Sequence, residues 1–263
     1  MAFWPAARGV LGLALEGMIW SRRSLVMAVL LGLPVLFAIV YRAARAASVP
    51  PQLGGFELYG HIVALYYVRN LLPLAALFYA TALVADEVEG RTLTYLLTRP
   101  IRRGSILVGK FVAYVATTLC LALPADVLTF FLLATAHGAS GLGSRVPDLF
   151  RDLGVIALAL LVYGALFTLL GVLLRRPVIP GLLFLFAWEL VANLPGYMPR
   201  LTITGYLRSL TRHRPPEEGL GVLLGQPEVL PAALCLGVLI TLALVFLGAA
   251  AWIFSRRDYV MEQ

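Results

Sequence analysis

Six stretches of this chain are apolar over roughly the length that a bilayer demands, and that feature narrows the fold more than any other. They run at 24–41, 63–85, 105–135, 153–174, 178–195 and 231–254, each near the ~20 residues a helix needs to cross ~30 Å of hydrocarbon. Lipid offers a backbone no hydrogen bonds, so a spanning segment must satisfy its own N–H and C=O groups, as a helix does. The expected fold is therefore all-α, a polytopic membrane protein of six transmembrane helices in one domain over 1–263. Composition agrees: 60% of residues are hydrophobic and 13% charged, and the mean hydropathy of +0.88 lies outside the range of soluble domains. The third run is long enough to bend, and Pro124 beside Asp126 marks the expected kink. An earlier apolar stretch is broken by Glu16 and leads to no small-residue cleavage site, so no cleavable leader is expected.

Charge then orients the bundle. The 21 Lys+Arg exceed the 14 Asp+Glu, for a net charge of +7. In a membrane protein such a surplus sets loop placement and meets anionic lipid rather than nucleic acid. With six spans both chain ends share one side. The Arg-Arg pairs at 22–23, 102–103, 175–176 and 256–257 all fall on that side and abut span ends, where cationic residues fix topology. Both termini and the 86–104 segment are expected in the cytoplasm, with the chain in the inner (plasma) membrane.

Between the runs, residues 86–104 stand out. Asp86, Glu87 and Glu89 lead the segment, while Arg99, Arg102 and Arg103 trail it around Pro100. Acid first and base last suits a helix dipole. Leu93, Leu96 and Leu97 share one helical face. A membrane protein that lays such a helix along its surface offers a face to a soluble partner. Residues 4–20 form a second amphipathic candidate: Ala7, Val10, Leu11, Ala14, Leu15 and Met18 make a stripe, bracketed by Trp4 and Trp20. That pattern suits a helix lying at headgroup level. Residues 196–230, rich in Gly, Pro and Arg, are expected as an external loop too short for an independent domain.

Catalytic chemistry is not expected of this chain. Gly104-Ser-Ile-Leu-Val-Gly-Lys110 approaches a phosphate-binding loop, but Phe111 stands where a hydroxyl should ligate magnesium, and Ile106, Leu107 and Val108 crowd the interior. Neither H-E-x-x-H nor G-x-S-x-G occurs. His61, His137 and His213 are scattered without ligand spacing, so no metal site is expected. Cys120 and Cys235 sit inside apolar runs as small hydrophobes, and Gly221-x-x-x-Gly225 lies in the outer loop rather than mid-span. Three ionisable residues remain in or beside spans: Arg69, Asp126 and Glu189. A charge at the bilayer centre costs about 2.5–3.5 kcal/mol on insertion scales, so such residues face a bundle interior or a water-filled path. Glu189, together with Asn193, either lines a substrate route or pairs with Arg69 to fix packing. Arg69 has a further option, which is to snorkel to the headgroups.

These segments resemble the membrane subunit of type 2 ABC transporters, the exporter-like permeases. One match is Leu15-Glu16 followed by Ser21-Arg22-Arg23-Ser24 and a span containing Pro34, similar to the family's amphipathic lead-in helix and its Arg-rich turn. The more specific match runs from Asp86, Glu87, Glu89, Gly90, Thr92 and Leu93 through Leu96, Leu97, Arg99, Pro100 and Arg103 to Gly109-Lys110. It resembles the signature of the coupling helix between spans two and three. Arg91 separates Gly90 from Thr92, which the family commonly keeps adjacent.

The resemblance implies a half-transporter with no catalytic site of its own. Two copies, or this chain with a related one, would pair with two ABC ATPase subunits, which carry the ATP and Mg; this chain would bind no cofactor. Closure of the ATPase dimer would move the 86–103 helix and hence the spans, driving export. The alternative is a mechanical or assembly subunit driven by the same ATPase and acting on a periplasmic or envelope partner. An intramembrane enzyme using Asp126 or Glu189 is a third class, but no nucleophile or metal pairs with either carboxylate. The fold does not choose the cargo.

Overall fold

The computed structural model describes residues 22–47, 54–89, 103–136, 142–174, 176–192, 198–213 and 230–256. Among them there is helix and no strand. The elements are α1 (Arg22–Ala46), α2 (Gly55–His61), a π-helical stretch (Ile62–Leu71), α3 (Leu72–Glu89), α4 (Arg103–Ala134), α5 (Leu142–Leu173), α6 (Val178–Ala192), a 3₁₀ turn (Met198–Leu201), α7 (Ile203–Leu210) and α8 (Ala232–Arg256). Five helical stretches are long and apolar enough to cross a membrane: Ser24–Ala46, Gly55–Leu83, Ile106–Ala134, Leu142–Leu173 and Ala232–Arg256. The lead-in helix at 4–20 falls outside the described residues.

Helix α5 is the spine. It packs against α3, α4 and α8, and it buries Val155, Ile156, Ala159, Leu160, Tyr163 and Phe167 among its neighbours. Close approach is possible because α5 presents glycine at the crossings: a Cβ on Gly171 would sit 3.1 Å from the Thr81 carbonyl oxygen. By contrast α1 and α8 expose Leu25, Val29, Leu36, Phe37, Leu244 and Val245. In water such surfaces would be a liability; in lipid they are the natural outer face. The bundle has a near end, carrying Ser24, Leu83, Arg103 and Leu173, and a far end, carrying Ala46, Gly55, Ala134 and Leu142.

Proline sets local detail. Pro34 lies inside α1 and has no N–H for the carbonyl of Leu30 four residues back. Tyr66 fills the vacancy: its hydroxyl donates to the Leu30 carbonyl at 2.7 Å. Span two carries Pro73 two residues after the end of the π-helical stretch. A proline ring crowds the preceding turn, and a wider turn makes room for it. Asn70 Nδ2 donates to the carbonyl of Leu65 at 2.6 Å inside that widened turn. α4 runs unbroken as helix through Pro124.

Two expectations are revised by the structure. The run placed at 153–174 belongs to a helix that begins at Leu142. Its first three turns carry Arg145, Asp148, Arg151 and Asp152, which an apolar-run criterion discards but which find partners at the far end. The external loop placed at 196–230 contains α7, an amphipathic helix whose Thr202 N-cap accepts from the Gly205 N–H at 3.0 Å. Over its described residues helix α6 runs 15 residues, about 22 Å. Register against α5 shows what α6 and α7 do together. A Cβ on Gly181 would touch Phe167, Thr204 meets Tyr163 at 2.8 Å, and the Leu210 carbonyl accepts from Arg151. α6 thus packs toward the near end, chiefly on α3, and α7 lies against α5 toward the far end.

Candidate functional site

At the far end, four elements deliver polar side chains to one buried point. α2 brings Tyr59, α4 brings Asp126, α5 brings Asp152, and the chain leaving α7 brings His213. The Tyr59 hydroxyl donates to Asp126 Oδ2 at 3.1 Å. His213 Nε2 sits 2.9 Å from Asp152 Oδ2. Tyr59 lies within electrostatic reach of both carboxylates, which in turn reach each other. Tyr59, Asp126 and Asp152 are all buried. The other Asp126 oxygen, Oδ1, is buried with no hydrogen-bond partner among the described residues. Glycine makes the seat for the imidazole: a Cβ on Gly60 would lie 2.5 Å from His213 Nδ1. Phe56 stacks on Tyr59 and meets His213 edge-on, Phe130 meets Tyr59 edge-on, and Arg145 stacks 4.7 Å over Phe56 as a roof. Outside the roof, Arg212 pairs with Asp148 at 2.9 Å.

Arg69 stands elsewhere, half-buried on the π-helical stretch. It lines a cleft with Asn70, Pro73, Tyr163, Phe184, Trp188 and Thr204, where span two faces α6 and the start of α7. Phe184 and Trp188 stack there at 5.3 Å. Glu189 follows Trp188 on the helical backbone of α6; Asn193 lies outside the described residues. Arg69 and Asp126, both flagged as intramembrane charges, therefore belong to separate sites. Tyr59, Asp152 and His213 are additions that the sequence reasoning missed. Gly60 and Asp152 were the available signals, a glycine and an acid each just before an apolar run.

At the near end, the helix of span two runs through Asp86, Glu87 and Glu89 rather than stopping at 85. The three acids thus occupy the last turn of α3 instead of opening a separate helix. Gly90, Thr92, Leu93, Leu96, Leu97, Arg99 and Pro100 lie outside the described residues, as does Glu16. Arg103 opens α4, and Arg22 and Arg23 open α1. The root of the connection is cross-tied: Lys110 Nζ on α4 donates to the Leu83 carbonyl on α3 at 3.0 Å. Among the described residues no group of three His, Cys, Asp or Glu is placed to hold a metal ion.

Comparison with known proteins places this architecture. Residues 19–259 match the family described as ABC-2 family transporter protein. The chain belongs to the ABC-2 transporter family. Two relatives of this ABC-2 protein carry the description "Probable ABC transporter permease protein NosY". One, from Stutzerimonas stutzeri, is 41% identical over 88 residues; the other, from Pseudomonas aeruginosa, is 36% identical over 88 residues. In both cases the aligned stretch is 32% of this chain and 32% of the relative, so the chain matches about a third of their length. The ABC-2 family is one of membrane permeases, in keeping with the five long apolar helices.

Proposed function

We propose that this ABC-2 protein is the membrane subunit of an ATP-driven export complex, moved by a separate ATPase through residues 86–103. The match to the family over 19–259 carries the reading, because an ABC permease works in general with an ABC ATPase. The near-end geometry supports it. α3 extends as helix beyond Leu83, and α4 leaves from Arg103, so a push on the connection between them reaches two spans. Lys110 ties those spans at the root and would keep them moving together. Leu93, Leu96 and Leu97 supply an apolar anchor for a groove on the ATPase, and the flanking charges a rim.

On this reading two copies of the chain pair with two ATPase subunits, both termini lie in the cytoplasm, and ATP and Mg are held by the partner. The test is co-purification with its ATPase, followed by ATPase and flux assays in vesicles. The chain should bring down an ATPase near 1:1. Leu96→Asp and Pro100→Ala should each lower coupled ATPase activity while the protein still inserts. Unchanged activity in both variants would remove the coupling assignment. Crosslinks from 198–213 to one envelope protein, without flux, would instead favour a mechanical role on that protein.

A further inference from the structure

We propose that the far-end cluster is a proton-binding site, with the proton held by Asp126 in the seated state of residues 198–213. Asp126 and Asp152 lie in electrostatic reach of each other in the interior of the bundle. One cation faces them at most, the imidazole of His213, and its Nε2 is committed to Asp152. α2 and the π-helical stretch contribute Tyr59 and Tyr67, while Glu57 and His61 of α2 lie at the surface. α5 contributes Asp152; its Arg145 is engaged over Phe56, its Arg151 on the Leu210 carbonyl and its Asp148 with Arg212. α3 carries acids only in its last turn, at the near end, and the segment after α7 contributes His213. α1 offers Arg42, but its guanidinium is bound further along α4, to Thr135 Oγ1 at 2.7 Å and to the Leu132 carbonyl. α8 has no charged side chain before Arg256.

A second carboxylate charge would thus be buried without a counter-ion, which costs several kcal/mol. Asp126 is the member that can shed its charge. Asp152 has the histidine, whereas Asp126 has one phenolic donor on Oδ2 and nothing on a fully buried Oδ1. A metal cation is a poor substitute, since the donors do not converge as a ligand set. A proton on Oδ1 leaves Oδ2 free to accept from Tyr59 and leaves the pair one negative charge, on Asp152, which His213 faces from its seat on Gly60. The site is distinct from the near-end coupling segment and does not rest on the transport reading.

The experiment is infrared spectroscopy of the full chain in lipid nanodiscs at neutral pH, where exposed carboxylic acids are ionised. The wild type should show a protonated-carboxyl stretch that is lost in Asp126→Asn, whose side-chain oxygen can still accept from Tyr59. In Tyr59→Phe the band should persist but shift in frequency, because its hydrogen-bond partner is gone. No such band in the wild type, or an identical band in Asp126→Asn, would overturn the proposal. If Asp126→Asn does not fold, an unshifted band in Tyr59→Phe would overturn it equally.

Discussion

Single residues decide how closely these helices pack. Gly164 on α5 is the sharpest case: a Cβ there would stand 2.2 Å from Cε1 of Tyr114. Tyr114 is fully buried, and its hydroxyl donates to the Leu160 carbonyl at 2.9 Å, so the ring cannot swing away without losing that bond. Gly164→Ala should therefore destabilise the fold by about 1–3 kcal/mol, the usual cost of overpacking. Gly154→Ala on the same helix meets nothing within 4 Å and should be neutral or slightly stabilising. Thermal unfolding in one detergent would compare the pair; equal melting points would refute the packing argument. At this scale the sequence was legible in part. Asp126 announced itself as an acid in an apolar run. Tyr59 and His213 did not, because a tyrosine and a histidine near span ends are unremarkable until folding sets them against it.

Elements obey the same physics with blurrier edges. Long apolar runs mark spans, and each of the five long helices overlaps one of them. The failures came where polarity is answered inside the bundle. α5 starts early because Asp148 and Asp152 are met by Arg212 and His213. α7 was hidden because an amphipathic helix of eight residues leaves no apolar run. The π-helical stretch had a signal in Pro73 that only the neighbouring turn makes readable. Two variants probe the α7 segment. Thr202→Ala removes the N-cap and should cost about 1 kcal/mol, seen as faster amide exchange over 203–210. Gly60→Val should push His213 off its seat and raise exchange over 203–213 while leaving α1 unchanged. Normal exchange in Gly60→Val would show that the histidine does not pin the segment.

For the whole molecule, the arginine pairs carry an orientation that labelling can check. Gly143 at the far end and Arg176 at the near end are both exposed. In a background with Cys120 and Cys235 replaced, Gly143→Cys should react with an impermeant maleimide in intact cells. Arg176→Cys should react only after permeabilisation. The reverse pattern would invert the molecule and detach residues 86–103 from any cytosolic motor. That a bundle spans the membrane was plain from the apolar runs; that α7 lies against α5 at the far end was not, since its polar positions interrupt any apolar run. The answer of Tyr66 to the carbonyl left open by Pro34 has a consequence for descent as well as for stability. A lineage that replaces the proline no longer needs the phenol, and one that loses the phenol first strands an acceptor in oil. The two positions should drift as a couple, the tyrosine seldom departing before the proline.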